Sequence, residues 1–200
     1  AVNLERKAFL SADMGVVTTE LQREYVIKEY ELDPEKIEVI PNYVLTSEFK
    51  PQSVEKKWDL LYVGRDSPQK NLVSLLQSLE ILKQHGTSTS LLLLGGAGQS
   101  IELENYAKSK DLDVTLLPNV PNEKIPEYMN MSKSFILPSH YEGHPKVLLE
   151  AMSCGLPCIG TPVRGIQEEI EHGKTGYLSA DTSPQAMADS IQTILADTSM

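Results

Sequence analysis

The stretch "DLLYVGRDSPQKNLVSLLQSLEILKQHGTSTSLLLLG", residues 59–95, decides the fold. It opens with an apolar run, turns at Gly64, and resumes with Leu72, Leu75, Leu76, Leu79 and Leu82. Those leucines stand at i, i+3, i+4, i+7 and i+10, one face of a helix. A second apolar run, Leu91 to Leu94, follows. Neither run alternates apolar with polar residues, which predicts strands buried on both faces of a parallel sheet. Strand, helix and strand of these lengths make a βαβ unit.

The same alternation extends outward in both directions. Apolar runs recur at GVVTT (15–19), IEVI (37–40), DVTLL (113–117), SFILPS (134–139), PCIGT (157–161) and GYLS (176–179), with segments of helical period between them. Near the end, Met187, Ile191, Ile194 and Leu195 share a helix face behind Ser183 as N-cap and Pro184 at the first helical position. The expected architecture is α/β, a Rossmann-like doubly wound parallel sheet. One stretch breaks the pattern: PNYVLTSEFKPQSVEKKWD (41–59) is rich in turn formers and charge and has no period. Residues 1–44 are therefore expected to be the remnant of a preceding domain and its linker. Residues 45–200 then form one α/β domain, truncated at its C-terminus. The chain starts at Ala1 without an initiator methionine and reads as cut out of something longer.

Composition narrows the function. With 18 basic against 28 acidic residues the net charge is −10, which repels phosphate backbones and anionic lipid and argues against nucleic acid as a partner. No apolar run approaches the length of a transmembrane span, and no charged start precedes an apolar signal region. Cys154 and Cys158 have no further cysteine or clustered histidine near them, a poor metal site, and read as reduced thiols of a cytosolic protein.

Ligands of an open parallel sheet bind where the βα turns gather, at the carboxyl ends of the strands. In YVGRDSPQKN, Gly64 ends the strand, Arg65 follows, and Lys70 stands just before the next helix. Two cations beside a helix start favour a phosphate, and a solvated polar loop is the plainer alternative. In LLLLGGAGQ, Gly95, Gly96 and Gly98 permit close approach of the backbone to a ligand, although a tight turn would use them equally well. In LPNVPNEK, Asn122 is expected to cap the next helix.

The richest turn is "SHYEGHPKVLLEAMSCG", residues 139–155, with Glu142 and Glu150 eight positions apart across a strand-to-helix junction. Glu150 lies between Leu149 and Ala151 in a segment apolar nearly all round, so its carboxylate needs a partner such as a pair of polyol hydroxyls. Glu142 is expected to point into the cleft. The amides of Gly143, His144, Lys146 and Val147 would face an anion, Pro145 contributing none. Hydroxyl acceptors beside an anion hole suit a sugar attached to a phosphate.

Together, E-x7-E at 142–150, the GR…K loop at 64–70 and the downstream CGLPCIGTPVRGIQEEIEHGKTGYL resemble the retaining, nucleotide-sugar-dependent glycosyltransferases of family 4. The match runs from about residue 37 to 190. Such enzymes have the GT-B fold, two facing Rossmann-like domains with the donor held mostly by the C-terminal one. The resemblance implies that residues 1–44 end the N-terminal, acceptor-binding domain and that residues 45–200 bind a UDP- or GDP-hexose. It assigns the diphosphate to Arg65 and Lys70, with Gly64 allowing close approach. It assigns the donor sugar to Glu142, the ribose to Glu150, and the distal phosphate and sugar to the amides of Gly143, His144, Lys146 and Val147. The base would lie near Gly95 and the Asn119–Val120 loop. Arg65, Lys70 and Glu142 are the residues nearest the chemistry.

The resemblance further implies no cofactor and no metal, the cations replacing the latter. The acceptor would be a glycan, lipid or small molecule held by the missing domain, and this fragment alone would be inactive. The whole protein would be cytoplasmic or peripheral at the cytoplasmic face of a membrane. His144 and Pro145 replace the aromatic and glycine of many relatives, and Arg164 stands where a second glycine is frequent. The competing readings are a GT-B relative such as an epimerase or phosphorylase, and a non-catalytic nucleotide-binding module. A dinucleotide module lacks its third glycine and its acidic residue here.

Overall fold

The computed structural model describes residues 2–95, 101–118 and 120–197, and the chain divides between Tyr43 and Val44 into two compact units. The first unit contains α1 (Val2–Ser11), β1 (Gly15–Val17), α2 (Glu20–Tyr30) and β2 (Ile37–Val39). β1 and β2 pair in parallel, Gly15 opposite Ile37. β1 is shorter than the GVVTT run because both threonines turn to the helix. Thr19 Oγ1 accepts from the Gln22 amide at 3.1 Å, and Thr18 donates its amide and hydroxyl to Gln22 Oε1. Val17, Val26, Tyr30 and Ile37 bury together with Phe9 against them, a small core supplied from within the segment.

The second unit runs β3 (Trp58–Val63), α3 (Leu72–Gln84), β4 (Leu91–Leu94), α4 (Ile101–Ser109), β5 (Val114–Leu117), α5 (Ile125–Asn130), β6 (Ser132–Leu137), α6 (Lys146–Ser153), β7 (Cys158–Gly160), α7 (Arg164–Gln167), β8 (Gly176–Leu178) and α8 (Pro184–Ala196). Its six strands form one sheet in the order β5-β4-β3-β6-β7-β8. Every pair is parallel, with Leu61 set between Leu92 and Phe135. The unalternating apolar runs are explained by their surroundings: Leu60, Leu61, Tyr62 and Leu91 to Leu94 are all fully buried, covered on both faces. The five leucines of α3 are buried as their spacing predicts. α8 packs on α3 with Met187, Ile191 and Ile194 buried, and Ser183 caps it by accepting from the Ala186 amide at 3.3 Å.

Two details depart from the sequence reading. Asn122 does not cap α5; it begins a 3-10 turn, Asn122–Lys124, that Pro121 closes by accepting from the Lys124 amide at 2.9 Å. The helix that follows is set by the fixed φ of Pro126 in its first turn, not by a polar side chain. β6 also ends at Leu137 rather than at Ser139. Pro138 has no N–H for the ladder, so the chain leaves the sheet there with Ser139 free to turn inward.

Cys154 and Cys158 are free and buried. Burial, aided by the nearby Glu150 charge, pushes the Cys154 thiol up to about 11, and burial pushes Cys158 higher. Neither is a thiolate nucleophile near neutral pH.

β4 and β5 extend the sheet to one side of β3, while β6, β7 and β8 extend it to the other. The strand order therefore reverses between β3 and β6, and a crevice opens there at the carboxyl ends. Leu61 lies beneath it, with no exposed surface. Leu61→Ala should cost about 2–5 kcal/mol, the range for removing a fully buried leucine side chain. Urea denaturation of the two chains, read through the shift in midpoint, measures it.

Candidate functional site

The loop after β3 is built around Tyr62. Its hydroxyl donates to the Arg65 carbonyl at 3.0 Å, and burial holds the phenol far above its ordinary pKa, so it stays a neutral donor. Gly64 lies under this bond; a Cβ there would come within 2.6 Å of the Tyr62 hydroxyl. The chain continues into a 3-10 turn, Pro68–Lys70, and reverses at Asn71 in the left-handed region before α3. Arg65 is left exposed and forms no ion pair with any described carboxylate. Next door, Gly95 (φ 85°) ends β4, and a Cβ on it would sit 3.3 Å from the Gly64 carbonyl.

The loop after β6 closes onto this one. The His140 amide donates to the Gln69 carbonyl at 2.8 Å, and Gln69 Nε2 donates to the Tyr141 carbonyl at 2.8 Å. Lys70 Nζ then reaches Glu142 Oε1 at 2.5 Å, and Ser139 Oγ donates to the same oxygen at 2.6 Å. The pair is largely withdrawn from water, with side-chain exposures of 18% for Lys70 and 9% for Glu142. A charge-assisted contact of this kind contributes about 1.5–3 kcal/mol, more than the usual worth of an exposed ion pair.

The turn beyond Glu142 is held from the β7 side. A Cβ on Gly165 would lie 2.1 Å from the Gly143 carbonyl, so only glycine lets α7 approach so closely. His144 Nε2 lies 3.1 Å from Glu169 Oε1. α6 begins just after Pro145, with Lys146 and Val147 in its first turn, ahead of the intrahelical ladder. The helix thus starts directly after the turn that carries Glu142.

Glu150, two turns into α6, is in a different state. Its side chain is only 14% exposed, and its one described charge contact is Lys146 at 3.6 Å. Burial raises its pKa above the ordinary carboxylate value, and Lys146 only partly opposes this. A buried carboxylate with so little compensation is a vacant acceptor.

The structure thus brings Gly64, Arg65, Lys70, Glu142 and Gly143 together at the strand-order reversal, with Gly95 against Gly64. Lys70, expected as a cation for phosphate, is already joined to Glu142. Val120 lies past the end of β5, partly buried against the main core, and Gly96, Gly98 and Asn119 fall outside the described residues. Sequence reading missed Gln69, Ser139 and Thr161, which tie the loops to one another. The available signal was their polarity at or just beyond strand ends, Ser139 standing three residues before Glu142. Among the described residues, no three His, Cys, Asp or Glu side chains gather as a metal site requires.

A parallel sheet with its reversal point flanked by a basic loop and an acidic turn defines a Rossmann-like ligand-binding domain. The chain belongs to the group 1 glycosyl transferases, whose family profile matches residues 45–200. It is 30% identical over 179 residues to the capsular polysaccharide biosynthesis glycosyltransferase CapM of Staphylococcus aureus, covering 86% of this chain and 43% of that protein. It is 33% identical over 173 residues to the UDP-Gal:alpha-D-GlcNAc-diphosphoundecaprenol alpha-1,3-galactosyltransferase of Escherichia coli, covering 78% of this chain and 44% of that one. The chain therefore spans less than half the length of each of these relatives. The fold matches the crystal structure of HepE from Anabaena in complex with UDP and glucose, with a TM-score of 0.80 and 23% identity over 94% of this chain and 54% of that one. The α/β fold implied by the E-x7-E and GR…K motifs is the one found, and the glycosyltransferase family they point to is found as group 1.

The state of Glu150 has a consequence for stability. Because its folded pKa is raised, the carboxyl favours the folded state while protonated. That advantage is lost as pH climbs through the ordinary carboxylate range, since the unfolded chain ionises first. At pH 7 the charge is a liability. Glu150→Gln should therefore raise the unfolding midpoint of the ligand-free protein at pH 7 and narrow its gain on acidification to pH 4. The same substitution should weaken binding of ribonucleotides. Thermal unfolding at the two pH values, with and without nucleotide, checks both halves.

Proposed function

We propose that this chain is the donor-binding part of a retaining hexosyltransferase, taking a nucleoside-diphosphate hexose with UDP or GDP as the carrier. The observation that carries this reading is the withdrawn Lys70–Glu142 pair at the strand-order reversal, with unpaired Arg65 beside it. Glu142 offers an acceptor for a sugar hydroxyl. Arg65 and Lys70 offer donors to a diphosphate, and the ammonium has three protons to share between carboxylate and phosphate. Glu150 offers the vacant acceptor for vicinal ribose hydroxyls. The names of the relatives, one of them a UDP-galactose-dependent enzyme, support a sugar nucleotide as the ligand.

In transfer, the bond from the anomeric carbon to the diphosphate oxygen breaks, and negative charge grows on the departing nucleoside diphosphate. Arg65, Lys70 and the first-turn amides of α6 would stabilise that charge in place, the role a metal would otherwise take. The acceptor, a glycan, lipid or small molecule, would be held by a further N-terminal domain. The full protein would act in the cytoplasm or at the cytoplasmic face of a membrane. No helix of the described residues is long and apolar enough to cross one.

Arg65 is a cleaner probe of the diphosphate than Lys70, because removing Lys70 also strands the Glu142 charge. UDP or GDP should raise the unfolding midpoint, by about 2.7 kcal/mol of stability at one hundred times the dissociation constant, while NAD should not. Arg65→Ala should then weaken the preferred nucleoside diphosphate by about 1.5–3 kcal/mol, the range for hydrogen bonds to charged groups. It should leave the bare nucleoside nearly untouched. Stabilisation by NAD alone, or equal losses for nucleoside and diphosphate, would count against the proposal.

A further inference from the structure

We infer that Ser139 is a positioning residue for the donor sugar, fixing the plane of the Glu142 carboxylate so that one oxygen faces the ligand; this rests on the proposed contact of Glu142 with the sugar. Ser139 is fully buried. Its hydroxyl donates to Glu142 Oε1 at 2.6 Å, the oxygen that also takes Lys70 Nζ at 2.5 Å. No described group hydrogen-bonds Oε2. A carboxylate oxygen has two lone-pair sites, so the two donors fill Oε1 and leave Oε2 as the open acceptor. A sugar hydroxyl therefore meets a carboxylate already chosen for it.

Lys70 alone does not make that choice. An ammonium is a compact charge with three rotatable donors, and the last torsion of glutamate is broad and roughly two-fold. With the lysine as sole partner, the carboxylate plane could swing about that torsion. A second, buried donor just past the end of β6, its backbone held by Thr161, removes that freedom.

Ser139 is in turn held from the neighbouring strand. Thr161, also buried, donates its Oγ1 to the Ser139 carbonyl at 2.5 Å. The bonds run from the end of β7 through Ser139 to Glu142, without passing through Arg65 or Lys70. Sugar recognition and diphosphate recognition are thereby served by separate supports meeting on one carboxylate. Removing the serine should disturb the first and spare the second.

Calorimetric titration of this chain with UDP and UDP-glucose, and with GDP and GDP-mannose, gives for each pair the ratio of nucleotide to sugar-nucleotide dissociation constants. Glu142→Gln should lower that ratio for the pair that binds. If it does not, the sugar contact of Glu142 falls, and this inference falls with it. Where Glu142→Gln does lower the ratio, Ser139→Ala should lower it too, by about five- to tenfold, within the worth of one hydrogen bond to a charged group. The constant for the bare nucleotide should stay within about twofold. Ser139→Cys, which keeps a weak donor, should recover part of the ratio, and the near-isosteric Thr161→Val should lower it by a smaller factor. An unchanged ratio in Ser139→Ala, or parallel losses for nucleotide and sugar nucleotide, would reduce the serine to a support of the fold. If Ser139→Ala does not fold, the other two variants decide: no change of ratio in either overturns the inference.

Discussion

The ion pair between Lys70 and Glu142 is the constraint on which the site is organised. It joins the loop after β3 to the loop after β6 across the one place where the strand order reverses. Two opposite charges at about 4 Å attract by about 4 kcal/mol at an effective dielectric near 20, but withdrawing them from water takes back much of that. Its main effect is therefore geometric. Gln69 and His140 fix the two backbones against each other by neutral hydrogen bonds, and the ion pair then fixes the charge. Because the lysine is shared, any anion it binds is placed beside whatever Glu142 binds. A diphosphate and the sugar it carries have that arrangement.

The two glutamates differ in how the fold treats them. Glu142 is met by a cation and a hydroxyl on one oxygen. Glu150 is nearly as withdrawn, and its described charge contact is a half-exposed lysine one helical turn away. The folded protein thus prepares one carboxylate and leaves the other under strain of desolvation. A hydrogen-bond donor brought to this carboxylate would relieve that strain. Such residues are expected at functional positions, where a local rule is broken without compensation from inside the chain.

The fold was legible wherever burial dominates. Leu60 to Tyr62 and Leu91 to Leu94 have no polar face, and only a sheet covered on both sides explains that. The leucines of α3 and the cap of α8 were equally plain, since period and capping are local. Asn122 was misread because two prolines, not its side chain, govern the start of α5. For the site, the charged residues announced themselves by standing where strands end, but their pairing did not. Lys70 and Glu142 are far apart in sequence, and only the strand order sets them face to face. Ser139 was hidden for a related reason. It was counted as the last residue of a strand, and nothing local shows that Pro138 releases it to turn toward Glu142.

His144 and Arg164 are connected through the turn that follows Glu142. His144 is almost fully buried, and a buried imidazole needs a polar partner. Glu169, just beyond α7, supplies it at 3.1 Å. That contact crosses the same gap that Gly165 spans by bringing its backbone onto the Gly143 carbonyl. Histidine with glutamate adds a directional tie between the segment just beyond α7 and the turn after Glu142. Arg164 opens α7 and precedes Gly165 directly. Its backbone position is therefore set by the turn that bears Glu142, and a change at His144 or Glu169 would be transmitted to it.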